Sequence, residues 1–164
     1  MRKLTPLLIV AACGVFIFAA TSIVRAATSA TVTSTVTIQN VSVGVTSGTV
    51  NYGTLAVGAT LSTIQLGSTQ IVTNSGNVAE DFVVAGQNST NWTLAGTPAA
   101  DTYVHKFSSN AGGAWTALTT SNQALGTNIG VGSTVSLDLQ ITAPSSSTVT
   151  TQQNVNVSVL ATAH

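Results

Sequence analysis

Cysteine is almost missing from this chain: Cys13 is the only one in 164 residues, and it sits inside an apolar N-terminal run. Everything after it lacks a thiol, which excludes a disulfide frame and a thiolate metal site. Charge is nearly as scarce, at 5% of residues. Three of the four basic residues, Arg2, Lys3 and Arg25, fall in the first 26 positions, and beyond them only Lys106 stands against Glu80, Asp81, Asp101 and Asp138. With no basic patch, nucleic acid is excluded as a partner. Helical periodicity is also absent after the first 26 residues. The remaining polarity is Thr, Ser, Asn and Gln, side chains that favour strands and turns over helix interiors.

The N-terminus reads as a targeting segment. Met1-Arg2-Lys3 is a short basic head, and residues 4–24 form an uncharged apolar run. Val24-Arg25-Ala26 puts small or medium residues where a signal peptidase reads, so the expected cut lies between Ala26 and Ala27. The rival is a retained anchor helix, because the run is about as long as the ~20 residues that span a bilayer. Either way Arg2 and Lys3 stay inside and residues after 25 are exported to the cell surface or secreted, with membrane contact only through an uncleaved leader. Val10-Ala11-Ala12-Cys13 resembles a lipoprotein acylation box, but the apolar Val15-Phe16-Ile17-Phe18 follows in place of a polar tether. Residues 27–164 are one domain's worth of chain.

Apolar residues alternate through most of that domain. Val32, Val36 and Ile38 fall on even positions and Val41, Val43 and Val45 on odd ones, so a strand from Thr31 to Thr46 changes phase near Gln39-Asn40. Ile71 to Val84, interrupted by Asn74-Ser75-Gly76-Asn77, has the composition of a β-hairpin. Tyr103, His105 and Phe107 alternate along a further strand. Val135, Leu137, Leu139 and Ile141 share a face with Asp138 and Gln140 opposite, and Val155, Val157 and Val159 repeat the pattern. Eight to ten short strands with closely spaced turns predict an all-β fold, an antiparallel, immunoglobulin-like β-sandwich preceded by the leader helix. Trp92, Trp115, Phe82 and Phe107 are expected to be its largest core side chains.

Chemistry is sparse. His105, Asp101 and a serine would be needed for nucleophilic catalysis, yet no serine lies in a Gly-flanked nucleophile elbow, and His105 shares a face with two aromatics. Adjacent Glu80 and Asp81 point to opposite faces of a strand, leaving Asp81 and Asp101 as the carboxylates able to meet across a loop around calcium. No motif calls for a cofactor or metal, and a non-enzymatic protein is expected. Trp92 beside Asn88 and Asn91 is the candidate glycan contact, its ring able to stack on a sugar. Thr31, Val32, Val36 and Ile38 mark the candidate subunit-exchange strand, since residues 31–46 carry none of the lysines, prolines or inward charges that protect sheet edges.

Two resemblances bear on function. Trp92-Thr93-Leu94, preceded by Asn51-Tyr52-Gly53-Thr54-Leu55 and Asn74-Ser75-Gly76-Asn77, resembles the first half of a WxL domain, which implies cell-wall binding. That family's second tryptophan motif has no counterpart in the final strand, Asn154-Val155-Asn156-Val157-Ser158-Val159. The leader, the Thr/Val-rich first strand and Val72-Thr73-Asn74-Ser75-Gly76-Asn77 resemble secreted sandwich subunits of the TasA and camelysin type, which implies an extracellular fibre built by self-association. The expectation is a structural or adhesive surface subunit, possible polymerisation by strand exchange included, with a wall- or glycan-binding module as the alternative.

Overall fold

The computed structural model describes residues 29–164, so the leader, its cleavage site and Cys13 lie outside the described residues. Met1–Val36 and Thr37–His164 separate as two units. In the first, residues 29–36 have no regular structure and are exposed. Among the described residues the second holds every strand and the hydrophobic core, whose members run from Val43 to Ala161.

This second unit is all-β, with no helix among the described residues. Its strands are β1 (Val43–Val45), β2 (Thr60–Ser62), β3 (Gln70–Asn74), β4 (Glu80–Gly86), β5 (Thr93–Leu94), β6 (Thr102–Ser108), β7 (Thr116–Ala117), β8 (Gln123–Ile129), β9 (Thr134–Thr142) and β10 (Val157–Ala163). One sheet follows the order β1-β3-β9-β6-β5, with β2 also on β9 and β7 on β6; the other is β10-β4-β8. The nine-residue β9 organises the larger sheet. Its first half pairs with β3, its second half with β2, and β6 lies along its other side. The alternation of Leu137, Leu139 and Ile141 makes this possible, because a period of two puts all three on the inner face.

The core joins the two sheets. Val72, Tyr103, Phe107, Leu137, Leu139 and Ile141 from one meet Phe82, Val84 and Leu125 from the other, a sandwich-like arrangement in which each sheet buries one face against its neighbour. Phe82 and Phe107 are in this core and Trp92 packs against it, but Trp115 lies outside it, half-buried beside Gly112. Tyr103 and Leu118 hold the central positions instead.

Other expectations are corrected here. Ile71 to Val84 is not a hairpin: β3 and β4 belong to different sheets, and residues 75–79 arch from one to the other. Buried Asn74 fixes the arch, its Nδ2 donating to Val78 O and Ile129 O at 2.8 Å each while its Oδ1 accepts from Gly76 N at 2.9 Å. The strand expected from Thr31 to Thr46 pairs only at Val43–Val45. Asp138 does lie opposite Leu137, Leu139 and Ile141, and a loop covers it there: it is buried, and its Oδ1 accepts from Thr63 Oγ1 and Thr69 Oγ1. The pairing is not purely antiparallel either, because β5 runs parallel to β6.

Residues 38–42 cross the arch without forming a strand. The Asn77 side chain substitutes for a strand partner, its Oδ1 accepting from Asn40 N at 2.7 Å and its Nδ2 donating to Ile38 O at 2.8 Å. Beside it Asn77 N donates to Asn40 O, and Ser42 N donates to buried Glu80 Oε1 at 2.8 Å.

Candidate functional site

β1 and β10 are edge strands of their respective sheets and lie near each other. Between them the core is incompletely covered, leaving a cleft of about 1180 Å³. Its floor is Leu137, Leu139 and Ile141 of β9 with His105 of β6; Val43 and Val45 flank it on one side, Val155, Val157 and Val159 on the other. Two stretches without regular structure, residues 48–57 and 147–156, form the rim. Among the described residues no Asp, Glu, Lys or Arg lines the cleft, and its volume exceeds the roughly 300–1,000 Å³ usual for small-molecule sites.

The cleft arises because the chain declines to form strands where the sheets would need them. Gly48, Gly53 and Gly58 all take positive φ, at 61°, 66° and 69°, a conformation that interrupts extended structure and suits glycine. Asn51 Oδ1 accepts from Gly53 N at 2.8 Å, an Asx-type turn. Within residues 49–55 no backbone group bonds to the backbone of another described residue. The segment is attached through side chains: Tyr52 and Leu55 pack on the core, and Tyr52 OH lies 3.1 Å from His105 Nε2.

His105 is 1% exposed and its Nδ1 has no partner among the described residues. Burial lowers its pKa to about 4, so the ring is neutral at physiological pH. Burial likewise pushes the Tyr52 phenol up and the Tyr103 phenol up to about 12. Tyr103 OH donates to Gln87 O, and its ring lies 6.2 Å from that of His105.

Trp92 also lines the cleft, half-buried. Its Nε1 donates to Ser147 Oγ at 3.2 Å, Ser147 Oγ donates to Asp101 Oδ1 at 2.5 Å, and the indole packs on Tyr103 with centroids 6.3 Å apart. Asn88 Oδ1 accepts from Leu94 N, while exposed Asn91 reaches Gln153 Oε1 through its backbone N–H at 3.1 Å. Trp92 therefore lines the cleft, Asn91 touches it only through Gln153 of the rim, and Asn88 is engaged in holding β5. Thr31, Val32, Val36 and Ile38 carry no strand pairing; Val32, Val36 and Ile38 are 86%, 91% and 81% exposed.

The other groups considered for chemistry do not converge. Asp101 partners Ser147, whereas His105 partners Tyr52. Asp81 Oδ1 accepts from Asn128 N at 2.8 Å and meets His164 Nδ1 at 2.9 Å, away from Asp101. Asn128 and then His164 hold the Asp81 carboxyl below the usual carboxylate range. Among the described residues no group of three or more His, Cys, Asp or Glu is placed to hold a metal. Sequence reasoning missed Tyr52 and the floor role of His105 as site features; the signal available was an aromatic alternating with Val50, polar Thr49 and Asn51 interleaved. No protein-family model, curated protein or solved structure matches this chain.

Proposed function

We propose that this chain is an exported structural or adhesive subunit of a cell surface that polymerises by strand exchange, residues 31–38 of one copy entering the β1/β10 cleft of the next. One observation carries this reading: an uncharged segment of β-forming residues is exposed and joins no strand among the described residues, with the Val32, Val36 and Ile38 side chains all in water. Such a segment gains backbone hydrogen bonds and apolar burial by joining an open sheet edge. The basic head and apolar run at the N-terminus support export, and the core shared by two sheets supports an immunoglobulin-like sandwich behind a leader helix. No enzymatic role is assigned. The self-association implied by the likeness to TasA and camelysin agrees.

The test is size-exclusion chromatography with light scattering, together with negative-stain microscopy, on residues 27–164 and on a chain beginning at Thr37. Growth of the longer chain into elongated particles is expected, with the shorter one folded and monomeric. A longer chain that stays monomeric at every concentration removes the proposal. A second reading, a wall- or glycan-binding module, draws on Trp92, Asn91 and the amides of Gln152, Gln153, Asn154 and Asn156 around the same cleft. It requires pull-down by cell-wall glycan that Trp92→Ala abolishes with the circular dichroism unchanged.

A further inference from the structure

Resting on the strand-exchange reading, we infer that residues 49–55 are an internal occupant of the acceptor cleft, a flap that the second copy's arm displaces. Within the arm, residues 31–38 read Thr-Val-Thr-Ser-Thr-Val-Thr-Ile, threonine at every odd position and the apolar side chains at even ones. Thr49-Val50-Asn51-Tyr52 repeats the pattern of Thr35-Val36-Thr37-Ile38: a polar residue, valine, a polar residue, a large apolar side chain. Val50 and Tyr52 are half-buried while Thr49 and Asn51 are exposed, so the flap presents one face to the cleft as a strand would.

Its attachment is weak in the currency that holds strands. No backbone hydrogen bond joins residues 49–55 to other described residues, so an entering strand breaks no ladder. The polar tie inside the cleft is Tyr52 OH to His105 Nε2. At the two ends Gly48 N donates to Gln70 Oε1 and Gly58 N to Pro144 O, which keeps the flap tethered when its middle leaves. Both glycines have positive φ and open space around them, suiting them to pivot. The arm offers more: its backbone N–H and C=O groups can pair with the outer edge of β10, where the second sheet ends. The flap thus keeps the Leu137–Ile141 floor partly covered in a single copy and yields to a better-bonded occupant.

Release is readable by chymotrypsin, which cleaves after exposed tyrosine. Cleavage at Tyr52 is expected to be at least about ten-fold faster in assembled residues 27–164 than in the monomeric chain beginning at Thr37, since exposure of the open form sets the rate. Adding a peptide of residues 29–38 to the shorter chain is expected to accelerate the same cut. Tyr52→Ala is expected to shorten the lag before assembly several-fold, and Tyr52→Phe, which removes only the hydroxyl and protects against a folding failure of the alanine variant, to shorten it less. Assembly that leaves Tyr52 as protected as in the monomer, or a Tyr52→Phe lag equal to that of the parent, overturns the flap while leaving strand exchange standing. Absence of assembly in the parent defeats both.

Discussion

His105 shows how one side chain links the core to the cleft. Its imidazole is buried, neutral, and bonded only through Nε2, so placing a proton on it inside the fold is costly, and its pKa falls to about 4. In the unfolded chain the ring takes up a proton near pH 6.5. Stability is therefore full above about pH 6.5 and falls as pH drops from there to about 4, because the unfolded state binds the proton first; the loss is about 3 kcal/mol. Urea unfolding at stepped pH is expected to show this slope, and His105→Gln to flatten it within that window. A slope unchanged in the variant would place the titrating group elsewhere. Asp81 acts at lower pH: its depressed carboxyl pKa gives stability that disappears only as pH falls below the usual carboxylate range.

The β3–β4 arch shows what local sequence conveys and what it does not. Asn74-Ser75-Gly76-Asn77 between two β-branched runs has the turn chemistry of a hairpin, and that chemistry is equally at home in an arch. The difference is made by non-local partners, Ile129 O for Asn74 and Ile38 and Asn40 for Asn77, which no window of sequence contains. By contrast the faces of β9 and β6 were legible, since a period of two shows without knowing the partner strand. Trp115 was misjudged as core, and the burial of Asp138 on the outer face was not legible, because covering loops and not the strands' own period decide burial there. Gly76 has a reason beyond the turn: a β-carbon there would run into Glu80 Oε1 and Asn40 O. Gly76→Ala is expected to lower stability by about 1–3 kcal/mol through overpacking. Gly96→Ala, with nothing near the added methyl, is the control, expected within about 0.5 kcal/mol of the parent. Equal urea midpoints for the two variants would contradict the close packing at the arch.

Over the whole molecule, the strand exchange proposed above would use different surfaces as donor and acceptor. Residues 40–42 are held at the arch by Asn77 and Glu80, Ile38 would give up its one bond from Asn77 Nδ2 on docking, and neither this segment nor residues 74–80 line the cleft. An interface between unlike patches is heterologous, and unless its rotation happens to close a ring it propagates into an open filament. The charge distribution fixes what drives each step. Residues 29–42 have no charged side chain, no Asp, Glu, Lys or Arg among the described residues lines the cleft, and from Ala27 onward the sequence holds one lysine against four carboxylates. In the proposed docking, repulsion between copies would be slight and no ion pair would form, so burial of Val32, Val36 and Ile38 would supply the force. Screening changes such an association little, whereas sulfate, excluded from protein surface, strengthens apolar burial. Assembly followed by light scattering is expected to change less than about two-fold in rate between low and roughly half-molar sodium chloride, where the Debye length is already short, and to accelerate in ammonium sulfate. Val32→Asp with Val36→Asp, both at exposed positions, is expected to leave the monomer's melting unchanged and to abolish growth, since docking would then bury two unpaired carboxylates. Strong slowing by sodium chloride, or growth undiminished in the double variant, would mean that charge elsewhere on the molecule and not the apolar arm brings the copies together.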